Sequence, residues 1–247
     1  MDFKFFPIFF LMIAFLKAHQ IKIYNNCPYT IWPGILGNPG HENFENGGFQ
    51  LNSRAVHIIN APNNWAGRIW GRTNCNSQGR CETGDCGNKI QCNGAGGTPP
   101  VSLPEMTFTG NGGIDYYDVS LVDGYNLPVR MVPTGGFKYS NGGKYDCKPA
   151  GCRTDLNPRC PSELAVKSGS RTIACKSACL QFNNDQYCCR GAHNTSATCK
   201  SRDWPKNYPA IFKSACPDAY SYAYDDDKST FTCRPNPATN YDITFCP

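Results

Sequence analysis

Sixteen cysteines lie between Cys27 and Cys246, and they offer more chemistry than any other residue type in the chain. Cysteines close disulfides or, in sets of about four and often with histidine, hold zinc. The four histidines are His19, His41, His57 and His193, and none stands in ligand spacing with a cysteine pair. An even cysteine count without such partners points to a disulfide framework built in an oxidising compartment. No metal and no cofactor is expected. The carboxylates say less on their own. Asp123 precedes Gly124, a strong hairpin-turn pair, and Asp225-Asp226-Asp227 reads as a solvated turn. Asn194-Thr195-Ser196 is an N-glycosylation acceptor in a polar loop between Cys189 and Cys199.

The N-terminus supports the same compartment. Lys4 is followed by an apolar run from Phe5 to Leu16, and Ala18 is a small residue suited to cleavage. Residues 1–18 therefore read as a signal peptide, and the mature chain as secreted and extracellular. The run is too short for a comfortable membrane span, which needs about 20 apolar residues. Loss of Lys4, Lys17 and Asp2 takes the formal charge from +5 to +4. That mild charge, with no basic run interleaved with aromatics, excludes nucleic acid as the main partner. It supports only a weak attraction to anionic surfaces, membranes included.

The elements that must position these groups are β-rich. The 24 glycines and 19 prolines are spread along the chain, the pattern of a loop-rich β protein. Ile21 to Tyr24 alternates apolar and polar residues, and Tyr29 to Trp32 is a second β-rich piece. Further strands are expected at Ala55–Ile59, Gly67–Trp70, Met106–Phe108, Tyr116–Val122, Val129–Val132 and Tyr241–Phe245. Such pieces separated by turns predict an antiparallel sandwich. Residues 75–105 hold four cysteines among Gly, Asn and Pro, and residues 154–216 hold seven. In the second stretch Ser177–Phe182 reads as a short helix, and Trp204–Ser214 as a helical or loop segment.

Several motifs in order carry a family resemblance. They are Asn26-Cys27-Pro28-Tyr29-Thr30-Ile31-Trp32, Trp70-Gly71-Arg72-Thr73-Asn74-Cys75, Cys81-Glu82-Thr83-Gly84-Asp85-Cys86, and Asp118 to Asn126. Gln186-Tyr187-Cys188-Cys189, Cys216 to Tyr222 and Thr244-Phe245-Cys246-Pro247 complete them. From about Ile21 to Pro247 the chain resembles the thaumatin-like proteins, the pathogenesis-related family of osmotin and thaumatin type. Asn88 departs from the usual glycine, a tolerable change because asparagine enters left-handed conformations readily. The loop between Cys75 and Cys81 is shorter than in relatives.

The resemblance implies a mainly β fold, an antiparallel β-sandwich core with two disulfide-rich flanking domains. The core would comprise 19–74 with 106–153 and 217–247. A loop domain would span 75–105, and a helical and loop domain 154–216. It also implies a wiring that counting alone leaves open among roughly two million pairings. The implied bonds are Cys27–Cys246, Cys75–Cys81, Cys86–Cys92, Cys147–Cys233, Cys152–Cys216, Cys160–Cys175, Cys179–Cys188 and Cys189–Cys199.

The family carries an acidic cleft, whose residues fall here on Arg68, Glu105, Asp118, Asp123 and Asp226. Carboxylates accept hydrogen bonds from sugar hydroxyls, and two of them flanking a glycosidic bond can hydrolyse it. Crowded negative charge raises at least one pKa and so divides the labour of acid and base. Glu105 is then the acid, Asp118 or Asp123 its partner, and Arg68 holds one carboxylate ionised. The implied partner is β-1,3-glucan or another cell-wall polysaccharide. The implied role is an antifungal defence protein, a monomer, with weak endo-β-1,3-glucanase activity in some relatives. The alternative is a non-catalytic carbohydrate- or protein-binding module acting on membranes or cell surfaces. One demand follows from geometry. Asp118 and Asp123 are five residues apart and would point to opposite faces of a regular strand. A shared cleft needs a bulge, or Asp123 beyond the strand end.

Overall fold

The computed structural model describes residues 18–225 and 229–247. The expected signal segment, apart from Ala18, and Asp226 lie outside the described residues. Nine strands among the described residues form two sheets that share one long strand. The first sheet runs β2 (Ile31–Gly37), β4 (Ala66–Thr73), β5 (Leu103–Thr107), β6 (Asp115–Ser120) and the start of β11 (Phe231–Phe245). In the second, β3 (Val56–Pro62) pairs with β1 (Ala18–Asn25) and β1 with the rest of β11. There β11 also pairs with β7 (Val129–Lys138), which pairs with β8 (Ala150–Cys152). β11 crosses between sheets where its register against β7 shifts from Pro235 to Tyr241. Pro235 and Pro237 lie in that stretch and lack the N–H a ladder needs.

Alternation explains the strands. In β1 the residues His19, Ile21, Ile23 and Asn25 are buried while their neighbours face outward or sit at the margin. Between the sheets lie Trp65, Phe108, Tyr117, Phe231, Tyr241 and Phe245, all essentially inaccessible. Every pairing between these strands is antiparallel except one: β1 and β11 run parallel, with Ile21 beside Tyr241 and Ile23 beside Ile243. Cys27 follows the end of β1 and Cys246 the end of β11, and the two are joined. Two strands fastened at their C-terminal ends lie side by side in the same direction.

The remaining bonds join Cys75 to Cys81, Cys86 to Cys92, Cys147 to Cys233 and Cys152 to Cys216. Cys160 is joined to Cys175, Cys179 to Cys188, and Cys189 to Cys199. They hold segments too short to order themselves. The region after β8 contains the hairpin β9 (Ala165–Ser168) and β10 (Arg171–Cys175). It also contains α1 (Ala178–Phe182), α2 (Asp185–Cys188) and α3 (Tyr208–Ala215). Helices of five, four and eight residues are unstable alone. Each is capped at its start, by Ser177, Asn184 and Asn207, whose side chains accept from Leu180, Tyr187 and Ala210 N–H.

Residues between β4 and β5 form turns that cover the outer face of the first sheet. Trp70 projects from β4 into this cover, against Cys86, Cys92, Val101 and Leu103. Gly34 on β2 leaves room for it, since a Cβ there would stand 2.3 Å from the indole. Asn88 sits in this loop at φ 57°, the left-handed region its side chain tolerates. Arg72 is fully buried and ties the loop to the sheet. Its guanidinium donates to the carbonyls of Trp32 (2.9 Å), Pro33 (3.2 Å), Lys89 (2.8 Å) and Ile90 (2.6 Å). Burial pulls its pKa down to about 10, so it stays charged at neutral pH. Replacing it leaves four carbonyls without this donor. Arg72→Met should lower stability by on the order of 3 kcal/mol in denaturant unfolding with the disulfides intact. A change below about 0.5 kcal/mol would show that the guanidinium is not what fastens the loop.

Candidate functional site

Strand register assembles the site. Arg68 on β4 stands opposite Glu105 on β5, and Glu105 stands opposite Asp118 on β6. Directly opposed residues of an antiparallel pair have Cβ atoms about 5 Å apart. One guanidinium and two carboxyls therefore form a row across three adjacent strands. Their neighbours Ile69, Met106, Tyr117 and Val119 are buried in the core, which turns the row to the outer face. The loop over Trp70 covers that face farther along and leaves the row accessible. Arg68 Nη1 lies 3.9 Å from Glu105 Oε1, with the side chains 38% and 36% exposed. A pair this open and long contributes about 0–1 kcal/mol to stability.

Asp123 joins the row from a turn. β6 ends at Ser120, and Gly124 N–H donates back to Leu121 O at 2.9 Å. The Asp123 carbonyl accepts from Val101 N–H at 3.2 Å. Gly124 has φ +93°, and a Cβ there would meet Cys175 O and Pro100 Cβ at 2.7 Å each. Asp123 lies beyond the strand end, so strand alternation no longer sets its direction. Its charge reaches Glu105. Burial pushes the Glu105 carboxyl above its ordinary value, the Arg68 guanidinium pulls it back, and Asp123 pushes it up further. The result is a carboxyl inclined to keep its proton beside groups that accept hydrogen bonds.

The run Asp225 to Asp227 is only partly described. Asp225 is not a solvated turn residue: it is 8% exposed and accepts from Ser221 N–H (3.1 Å) and Oγ (2.9 Å). Lys213 Nζ on α3 pairs with it at 2.8 Å. That pairing comes from a helix ten residues upstream of the run, so adjacent sequence does not announce it. Asp226 lies outside the described residues. Asn194 is exposed in its loop. Among the described residues no group of three His, Cys, Asp or Glu side chains stands where it could hold a metal ion.

Comparison with known proteins places the fold. The model of the Thaumatin family matches residues 25–247. The chain is 51% identical over 236 residues to pathogenesis-related protein 5 of Arabidopsis thaliana, covering 94% of this chain and 92% of that one. It is 46% identical over 244 residues to a protein of Prunus avium named glucan endo-1,3-beta-glucosidase, covering 96% and 94%. Its fold is similar to that of a family 64 laminaripentaose-producing beta-1,3-glucanase from Paenibacillus barengoltzii, solved with laminarihexaose. That match has a TM-score of 0.56 at 12% identity, over 92% of this chain and 75% of the other.

The neighbours of Glu105 give a direct test of the electrostatics. Arg68→Met should move its carboxyl titration to higher pH, and Asp123→Asn should move it to lower pH, followed by carbon-detected NMR. Unchanged titration in both variants would mean that the row is not electrostatically connected.

Proposed function

The chain belongs to the thaumatin family, and we propose that it acts outside the cell as a defence protein that binds fungal β-1,3-glucan along the row Arg68–Glu105–Asp118. Asp123 adds to the acidic lining, to which the family resemblance would add Asp226, and the bound glucan is hydrolysed slowly. The observation that carries this reading is the cross-strand row, with a carboxyl held above its ordinary pKa beside a second carboxylate. A neutral polysaccharide suits it, because sugar hydroxyls donate to carboxylates without adding charge. The names of the Arabidopsis and Prunus relatives support the defence role and the polymer respectively. The eight disulfides suit an extracellular setting.

In hydrolysis Glu105 gives its proton to the glycosidic oxygen as the bond to the anomeric carbon breaks. Asp118 or Asp123 then acts on the opposite side, as nucleophile or as base toward water. Arg68, beside Glu105, limits how far the pKa of that acid rises. The same row without a correctly placed water or nucleophile would bind and not cleave, which is the second reading: a non-catalytic module working at a wall or membrane surface.

Laminarin separates the two. Under the first reading the wild type releases reducing ends, and Glu105→Ala lowers the rate by about 100-fold or more while still binding. Equal release by both proteins would remove Glu105 from the acid role. Binding that Asp118→Asn abolishes, with no sugar released by any variant, would establish the non-catalytic module. We also infer that exposed Asn194 carries an N-linked glycan. The intact mass of protein secreted from a eukaryotic host should fall on glycosidase treatment, and should not fall for Asn194→Gln.

A further inference from the structure

A second groove lies at the other end of β4. Arg68 and Thr73 are five residues apart on that strand, about 17 Å at the usual rise. Beyond Thr73 three stretches of chain converge around a space of about 530 Å³, within the size range of small-molecule sites. Tyr29 comes from the turn between β1 and β2, Trp32 from β2, Glu82 from the loop over Trp70, and Asp155, Asn157 and Arg171 from the region carrying β9 and β10.

The chemistry of the walls is specific. Tyr29 is 46% exposed, although an isolated ring of this size gains by burial. Glu82 is held from two sides, by Asn74 Nδ2 at 3.3 Å and Arg171 Nη2 at 3.5 Å. Asp155 Oδ1 accepts from Asn157 N–H at 3.1 Å and from the Tyr125 hydroxyl at 3.4 Å. Its Oδ2 has no hydrogen bond among the described residues. Asn157 spends its amide protons on the carbonyls of Asn126 and Ile173. Among the described residues Asn157 Oδ1 and Trp32 Nε1 are buried polar atoms without hydrogen-bond partners, and such atoms call for an explanation.

We propose that this groove is a second saccharide site, taking one or two units of a neutral β-linked gluco-oligosaccharide. A β-glucose ring has equatorial hydroxyls around its edge and C–H groups on both faces. The faces fit against Tyr29 and Trp32, while the edge donates to Glu82 and Asp155 and accepts from Arg171. Two carboxylates against one guanidinium disfavour an anionic sugar. The site shares no residue with the acidic row.

Laminarihexaose titrated into the disulfide-bonded chain, followed by proton–nitrogen correlation NMR, tests the proposal. Saturable shifts are expected at Tyr29, at the Trp32 indole and at Arg171, and they should persist in Glu105→Ala. Tyr29→Phe should keep them and Tyr29→Ala should lose them, and Glu82→Gln should weaken the response about tenfold. No shift at these positions with millimolar sugar overturns the proposal, as does a response that Tyr29→Ala leaves unchanged. A peptide or an anionic oligosaccharide that displaces laminarihexaose at lower concentration would also overturn it. Shifts at the groove with none near Arg68 and Asp118 would uphold this site while removing the cleft reading.

Discussion

The register of β4, β5 and β6 is the constraint on which the site depends. The side-chain period of a strand is two, so a slip of one residue would turn Glu105 or Asp118 into the core and bring Met106 or Tyr117 out. The apolar inner row prevents that slip: Ile69, Met106, Tyr117 and Val119 are buried to within a few per cent. The functional row itself does not help folding. Glu105 and Asp118 stand directly opposite each other, and like charges so placed are destabilising by some tenths of a kcal/mol. Arg68 offsets part of this. A local electrostatic cost inside an otherwise consistent sheet is where function is expected to sit.

The sheet by itself would be open on its outer face. The loop after β4 converts it into a wall, and this loop has little apolar content of its own. Trp70 supplies its hydrophobic anchor and Arg72 its polar one, while Cys75–Cys81 and Cys86–Cys92 limit the alternatives open to the unfolded loop. On the other side Gly124 lets the turn after β6 approach Pro100 and Cys175. The turn that aims Asp123 is thus packed against both flanking regions. The same contact fixes the turn that carries Asp123.

Much of this was legible in the sequence, and the limits have physical causes. Alternation exposed the strands that are half-buried, such as Ile21–Tyr24 and Tyr116 onward. It could not expose β8 or the hairpin β9–β10, whose three to five residues span too few alternations. Cysteine number indicated the compartment, but partners separated by 219 residues, as in Cys27–Cys246, follow only from resemblance or structure. Once that bond is known, the parallel direction of β1 and β11 follows from where each cysteine sits. For the site, the residue types came from motif resemblance, and their assembly depended on register and on one turn. Asp225 looked like a solvated residue because its partner Lys213 reaches it from a separate helix.

The distribution of charge narrows what the molecule can hold. The chain as a whole is basic, at +5. Yet the row on β4–β6 and the groove beyond Thr73 each carry more carboxylates than cations. At those two places an anionic polymer meets repulsion. A neutral polymer meets none, and donates hydroxyl protons to each carboxylate it passes. Such a polymer also repeats, so under both proposals one chain long enough to pass from the row to the groove would meet both sets of carboxylates. The second contact is then intramolecular and needs only modest intrinsic affinity, because a short tether gives an effective concentration of about millimolar. A free glucose unit gains nothing from this arrangement. Under both proposals the molecule would favour a long, uncharged ligand, and a wall polysaccharide is both.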